Sequence, residues 1–258
     1  MKIINLMVLA GLFLALFATT SAVKAKQIAI VIDDIGYHQR DLEFLSLPGQ
    51  LSYSILPHTP YSQIFATLAS QSNKELLLHV PMQALNGKKL GPGALTLNMD
   101  KAKLQQTLGN ALASLPQVKG VNNHMGSALT QQSQAMKWTM EVLKKRQLYF
   151  LDSRTTELSQ AQNAANFLGV ENISRHVFLD NITTTEQLQL RLEELKSKAT
   201  KYQFAIAIAH PYPETIDFLR NALPQLSEQG FELVPVSQLV EKKYIQLAQA
   251  HGKGINAR

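Results

Sequence analysis

Short apolar runs alternate with helical patterns along most of the chain. Runs of apolar, largely β-branched residues occur at 27–33, 51–56, 75–80, 118–121, 148–152, 176–179, 204–210 and 232–236. They read as strands, because a strand buried on both faces is apolar throughout instead of alternating. Between them, apolar residues recur at helical spacing, most clearly over 101–114, 127–146, 184–200 and 214–229. The last of these helices is expected to break before Pro224. Thr183-Thr-Thr-Glu186 has the form of a capping box. Gly169 and Gly230 stand where left-handed C-terminal caps belong.

Seven or eight strands alternating with helices predict an α/β fold with a mostly parallel sheet. No Pro/Gly/Ser-rich linker divides the pattern, so one domain is expected over residues 26–240. The pattern leaves two architectures standing, a (β/α) barrel, complete or incomplete, and an open doubly wound sheet. Residues 84–99 break the alternation and read as a lid or a rim loop. Residues 241–258 are polar and read as a frayed tail.

The N-terminus lies outside this pattern. Lys2 is followed by an unbroken apolar stretch from Leu6 to Ala18 and by small-residue cleavage candidates up to Ala25. The stretch is shorter than the ~20 residues that span a bilayer, so residues 1–25 read as a cleavable signal peptide. An uncleaved anchor is the competing reading. No second long apolar run follows, so no other membrane span is expected. A periplasmic or secreted location is expected. The chain has no cysteine, which removes disulfides, thiolate metal sites and cysteine nucleophiles. The net charge of +6 comes from basic residues that are scattered, as on solvated helix faces and unlike a nucleic-acid groove. G-x-G-x-x-G, G-x-x-x-x-G-K-[ST] and G-x-S-x-G are all absent, so dinucleotide, P-loop and α/β-hydrolase readings lose their usual support.

The candidate chemistry sits at strand ends. The first strand closes on Ile28-Ala-Ile-Val-Ile-Asp33-Asp34-Ile-Gly36. His79 ends the 75–80 run, His124 follows the 118–121 run, Asp152 ends the fifth and His210 the seventh. In a parallel architecture these ends converge. Each residue has an ordinary use as well. Asp33-Asp34 suits a turn that caps a helix, His79 a core hydrogen bond, His210 before Pro211 a turn, and Asp152 a cap. Asn122, Asn123 and Gly126 suit plain turn chemistry. His38, His58, His176 and His251 lack the pattern and read as surface or structural. What those uses leave unexplained is five strands breaking at the same end with ionisable groups. An Asp and two His suit a zinc-class divalent ion with one position open for water. A second carboxylate and a third histidine add a base and an acid, the parts of metal-assisted hydrolysis of an amide or ester.

In order along the chain, Ile-Asp33-Asp34-Ile-Gly, Leu-His79-Val-Pro-Met, Gly-Val-Asn-Asn-His124-Met-Gly-Ser, Phe-Leu-Asp152-Ser and Ala-Ile-Ala-His210-Pro resemble the divergent polysaccharide deacetylase family. These are exported relatives of NodB-type carbohydrate esterases. The likeness runs from about Lys26 to Leu239. It implies a distorted (β/α) barrel and a divalent metal, zinc being the expected ion. It implies Asp33 as base, Asp34 as metal ligand and His210 as general acid. NodB-type enzymes carry a second metal-binding histidine four residues after the first. Here that position is Gln83, and His124 is expected to supply the ligand with His79. Asp152 is a further catalytic candidate. Asn122, Asn123, Ser127 and Arg154 are candidates for contacts with an acetylated glycan such as peptidoglycan. A catalytically idle relative that binds glycan or an envelope protein is the alternative. A phosphoesterase is disfavoured, because Arg154 is the only evident cation at the strand ends.

Overall fold

The computed structural model describes residues 25–255, with side chains through residue 250. The strands are β1 (Lys26–Ile35), β2 (Ser52–Ile55), β3 (Glu75–Met82), β4 (Gly120–Met125), β5 (Tyr149–Asp152), β6 (Asn172–Ser174), β7 (Val177–Phe178), β8 (Phe204–Ala209) and β9 (Phe231–Leu233). The helices are α1 (Ser62–Gln71), α2 (Lys101–Ser114), α3 (Ser133–Arg146), α4 (Ala161–Leu168), α5 (Thr185–Tyr202), α6 (Pro213–Ala222) and α7 (Val236–Ile255). Eight strands run parallel in the order β6-β5-β4-β3-β2-β1-β8-β7, and β9 adds to the start of β1.

The sheet curls into a half-barrel. Its edge strands β6 and β7 are joined only by Arg175 and His176. The Arg175 N–H donates to Asp152 O at 3.0 Å on β5, and the His176 N–H to Ile206 O at 2.9 Å on β8. Two residues therefore bridge the seam, which requires sheet edges within about 11 Å of each other. An open doubly wound sheet would hold them far apart.

Successive side chains of a strand face opposite sides of a sheet, and two apolar cores follow. Ile28, Ile30, Ile32, Leu76, Leu78 and Val80 pack outward with Phe65, Leu104 and Leu108 of the helical layer. Ala29, Val31, Leu77, Leu151, Ile206 and Ile208 pack inward and fill the barrel. Both faces of the strands are covered, which accounts for their unbroken apolar runs.

The polar segment from 241, expected to fray, continues α7, whose first turns plug the barrel; in that segment Lys242, Lys243 and Tyr244 are half-buried and residues 245–250 are exposed. Val236, Leu239 and Val240 of α7 join the inward core, and Tyr244 packs against it. The Tyr244 hydroxyl accepts from the Asn172 backbone N–H at 3.1 Å and side-chain amide at 2.9 Å. Lys243 Nζ donates to Asn172 O at 2.7 Å. The apolar residues of α7 recur at helical spacing among many polar ones, so one face packs while composition reads as tail.

Other boundaries also moved. The helix expected from 127 starts at Ser133, after a 3-10 turn at Leu129–Gln131. α5 is capped at Thr184, which makes no side-chain capping bond, so the expected box at Thr183 is not formed. Gly169 caps α4 in the left-handed conformation at φ +68°. α6 ends at Ala222, ahead of Pro224. The proposed signal peptide lies outside the described residues, except for Ala25. Among the described residues no helix is long and apolar enough to cross a membrane.

Candidate metal centre at the barrel mouth

Two neighbouring carboxylates reach one site because β1 is irregular where they stand. Ile32 pairs with Tyr53 and Ile35 with Ile55, so β1 carries one residue more than its partner. Asp34 takes up the surplus at φ +59°, a conformation uncommon outside glycine. A regular strand would send Asp33 and Asp34 to opposite faces. The bulge lets both approach His79.

Asp33, His79 and Asn122 form a layer above the inward apolar core, each at most 2% exposed. The Asn122 side-chain amide donates to Asp33 Oδ1 and Oδ2 at 2.9 and 3.0 Å. Its carbonyl oxygen must then face the other way, where it accepts from Ser54 Oγ and lies 2.7 Å from His79 Nδ1. An amide oxygen only accepts, so His79 carries a proton on Nδ1. Its Nε2 points into the mouth, 3.0 Å from Asp34 Oδ1 and 3.6 Å from Asp33 Oδ2. Burial opposes charge on His79, but Asp33 and Asp34 outweigh it and raise its pKa. Burial raises the pKa of Asp33 too, against the pull of His79 and His210.

The outer layer is Asp34, His124 and His210. β3 and β4 are adjacent, with His79 opposite Asn122 and Pro81 opposite His124. His124 is thus two residues further along the same face. Its Nδ1 lies 2.7 Å from Asp34 Oδ1. Burial disfavours the Asp34 carboxylate, but His124 and His79 hold its pKa far below the usual range. One ligand atom each from Asp34, His79 and His124 fall within 4.8 Å of one another. This donor set fits a divalent ion. The amide fixes the ring of His79, as such partners do for metal-binding histidines, and a cation there would replace the proton that Nε2 otherwise needs beside Asp34.

His210 follows β8, and its Nδ1 donates to Asp180 Oδ1 at 2.8 Å. Asp180 is fully fixed. Its Oδ2 accepts from the His210 N–H at 2.6 Å and from Thr215 Oγ1 at 2.9 Å. Burial lowers the His210 pKa, but Asp180 more than compensates and takes it up to about 9. Asp34, His124 and His210 line a cleft of about 500 Å³, together with Tyr37, Arg40, Lys89 and Tyr212. His38, expected to be a surface residue, is exposed at its rim.

The remaining candidates take supporting places. Asp152 is not brought to the cluster. Leu151 faces inward, so Asp152 faces outward, where its carboxylate accepts from Arg154 N–H at 2.9 Å and Ser159 Oγ at 2.8 Å. Asn122 and Asn123 are 0% and 1% exposed and do not meet the cleft. They lie within β4, not in a turn after it, and the Asn123 side chain ties Ser153 N–H to Met125 O. Ser127 Oγ accepts from Leu85 N–H at 3.0 Å. Arg154 pairs with Glu157 and lines a separate surface hollow with Arg175 and His176. The 84–99 insertion is a rim loop. Leu95 bonds back to Pro81 O at 2.8 Å and Lys89, Leu90 and Gly91 reach the cleft. Gln83 fastens this loop, accepting from Leu97 N–H at 2.8 Å. Sequence reasoning passed over Asp180, although it ends the 176–179 run as Asp33 ends the first.

The family model for divergent polysaccharide deacetylases matches residues 30–240. The chain belongs to that family. An uncharacterized protein from Haemophilus influenzae is 36% identical over 226 residues, 87% of this chain and 80% of its own length. The uncharacterized protein YibQ of Escherichia coli is 34% identical over 234 residues, 90% of this chain and 73% of its own. The crystal structure of an uncharacterized protein from Agrobacterium tumefaciens superposes with a TM-score of 0.81 at 23% identity, covering 85% of this chain and 91% of that one. The last likeness is one of fold.

Proposed function

We propose that the protein is an exported, metal-dependent hydrolase that removes acetyl groups from an envelope or extracellular glycan, with peptidoglycan the leading candidate. The observation that carries this reading is the meeting of the Asp34–His79–His124 donor set with Asp33 and His210 at one barrel mouth. Family membership supports the acetylated glycan as substrate, and the apolar stretch at 6–18 supports export.

Asp34, His79 and His124 would hold a zinc-class ion, which when bound would polarise the acetyl carbonyl as a Lewis acid and acidify a water. Asp33, whose Oδ2 lies 3.6 Å from His79 Nε2 and which Asn122 holds as an acceptor, takes a proton from the attacking water. His210 has its Nδ1 committed to Asp180, so its Nε2 delivers a proton to the departing nitrogen or oxygen. Asp180 keeps that histidine charged at neutral pH, which suits an acid. Burial of Asp33 and His79 keeps bulk water away from the base and strengthens these charge interactions.

The test is acetate release from N-acetylglucosamine oligomers and from peptidoglycan by metal-loaded protein, chelated protein and Asp33→Asn. Release that needs both metal and Asp33 is expected. No release by the metal-loaded protein from any acetylated glycan contradicts the reading. Gln83 favours a second reading, a glycan or envelope-protein binder without turnover, because it stands where NodB-type enzymes carry a ligand. Tight glycan binding by metal-loaded protein without acetate release would establish that reading.

A further inference from the structure

The cleft over the metal-ligand cluster is lopsided in charge. Asp34 is the only carboxylate among its lining residues, whereas Arg40 and Lys89 both line it. Neither Arg40 nor Lys89 forms an ion pair with a described residue. They come from different parts of the chain, Arg40 from the 3-10 segment Gln39–Ser46 after β1 and Lys89 from the 84–99 loop. That loop is fastened on both sides of Lys89, by Leu85 to Ser127 and by Leu97 to Gln83. Gly91 rests against Tyr37, since a Cβ there would lie 2.6 Å from the Tyr37 hydroxyl. Lys89 and Tyr37 therefore line the cleft together. Tyr37 and Tyr212 remain 43% and 42% exposed there, amphipathic rings suited to a sugar face.

A neutral acetylated sugar has no use for two unpaired cations beside its binding site. Arg and Lys are the usual partners of carboxylates and phosphates, Arg in a two-pronged contact and Lys as a point charge. We infer that the cleft selects acetylated saccharides that also carry an anionic group, a carboxylate or a phosphate, held by Arg40 and Lys89. The acetyl group rests on the deacetylase reading above, whereas the charge preference rests on the cleft lining alone. Both cations are exposed, so each contact is weak and salt-sensitive.

The experiment is calorimetric binding to the Asp33→Asn protein, whose turnover is expected to be roughly 10²–10⁴-fold lower. Three probes of equal length serve: N-acetylglucosamine tetramer, the same tetramer with a terminal phosphate, and a tetrasaccharide with free muramic acid carboxylates. At least one anionic probe is expected to bind roughly 5–30-fold more tightly than the neutral one. That advantage should shrink with added salt and vanish in Arg40→Gln/Lys89→Gln, measured as the ratio of anionic to neutral affinity within that variant. The probe that gains distinguishes carboxylate from phosphate. Equal affinity for all three overturns the proposal, as does a preference that survives the double substitution, or no saccharide binding at all. Acetate release by the wild type on the same probes is scored separately. Its absence overturns the deacetylase reading and leaves the affinity comparison standing.

Discussion

His210 and Asp180 form a fixed pair, with the Nδ1–H of one donating to the Oδ1 of the other at 2.8 Å. Asp180 is 2% exposed and its second oxygen is also occupied. The pair sets both the direction and the charge of the His210 ring. Asp180→Asn keeps an acceptor for Nδ1 and removes the charge, while its amide N–H₂ replaces the oxygen that accepts from the His210 backbone N–H. The alkaline limb of the pH–activity profile should then move down from about 9 toward the ordinary histidine value of 6.5. An alkaline limb that stays in place would rule His210 out as the acid.

The same pair makes a stability prediction of definite sign. The folded-state pKa of His210 lies above its unfolded value of 6.5. Its stabilisation is therefore complete below pH 6.5 and is lost as pH rises through about 9. Denaturant titrations should show wild type and Asp180→Asn differing most at or below pH 6.5 and converging in that pair's contribution above 9.

Asp33→Asn preserves shape, and its side-chain oxygen still accepts from Asn122. Turnover should fall by roughly 10²–10⁴ and the acidic limb should disappear. Metal content should stay at the wild-type level, because Asp33 is not among the three converging ligands. Turnover within a factor of two of wild type would assign the base elsewhere.

Gly36 closes the Asp-Asp-Ile-Gly sequence for a steric reason. It sits at φ +126°, and a Cβ there would lie 2.3 Å from Thr59 Oγ1. Its N–H also donates to the buried Asp41 Oδ2 at 2.8 Å. Gly36→Ala should cost about 1–3 kcal/mol by overpacking and strain. Thermal unfolding should fall roughly 2–4 °C for each kcal/mol. An unchanged midpoint would show that this turn relaxes freely.

The rim pattern was legible because parallel strands turn a one-dimensional rule, an ionisable residue where an apolar run stops, into a shared place. Asp33, His79, His124 and His210 all follow it. Asp152 follows it too and yet faces outward, since a strand end fixes the rim and only the pairing parity fixes the face. Asp34 sits opposite in parity and still reaches the site, because a bulge cannot be seen in the apolar pattern. β6 and β7 are too short to show periodicity, so the seam that decides barrel over open sheet lay beyond the sequence. α7 was hidden by composition, its packed face diluted by lysines and glutamines. If that face is structural, Tyr244→Phe should cost about 1–3 kcal/mol by leaving the buried Asn172 backbone N–H short of a partner, while its side-chain amide keeps Asn166 Oδ1 and Val170 O. A frayed tail would lose nothing measurable.

The central claim is that Asp34, His79 and His124 hold one divalent ion at the barrel mouth. Its most direct test is metal analysis of purified protein after zinc loading and desalting, beside His79→Ala and His124→Ala. Wild type should retain about one ion per chain, and each variant should retain little while keeping the wild-type circular dichroism spectrum. A wild type that holds no metal, or variants that hold as much as wild type, would contradict the assignment.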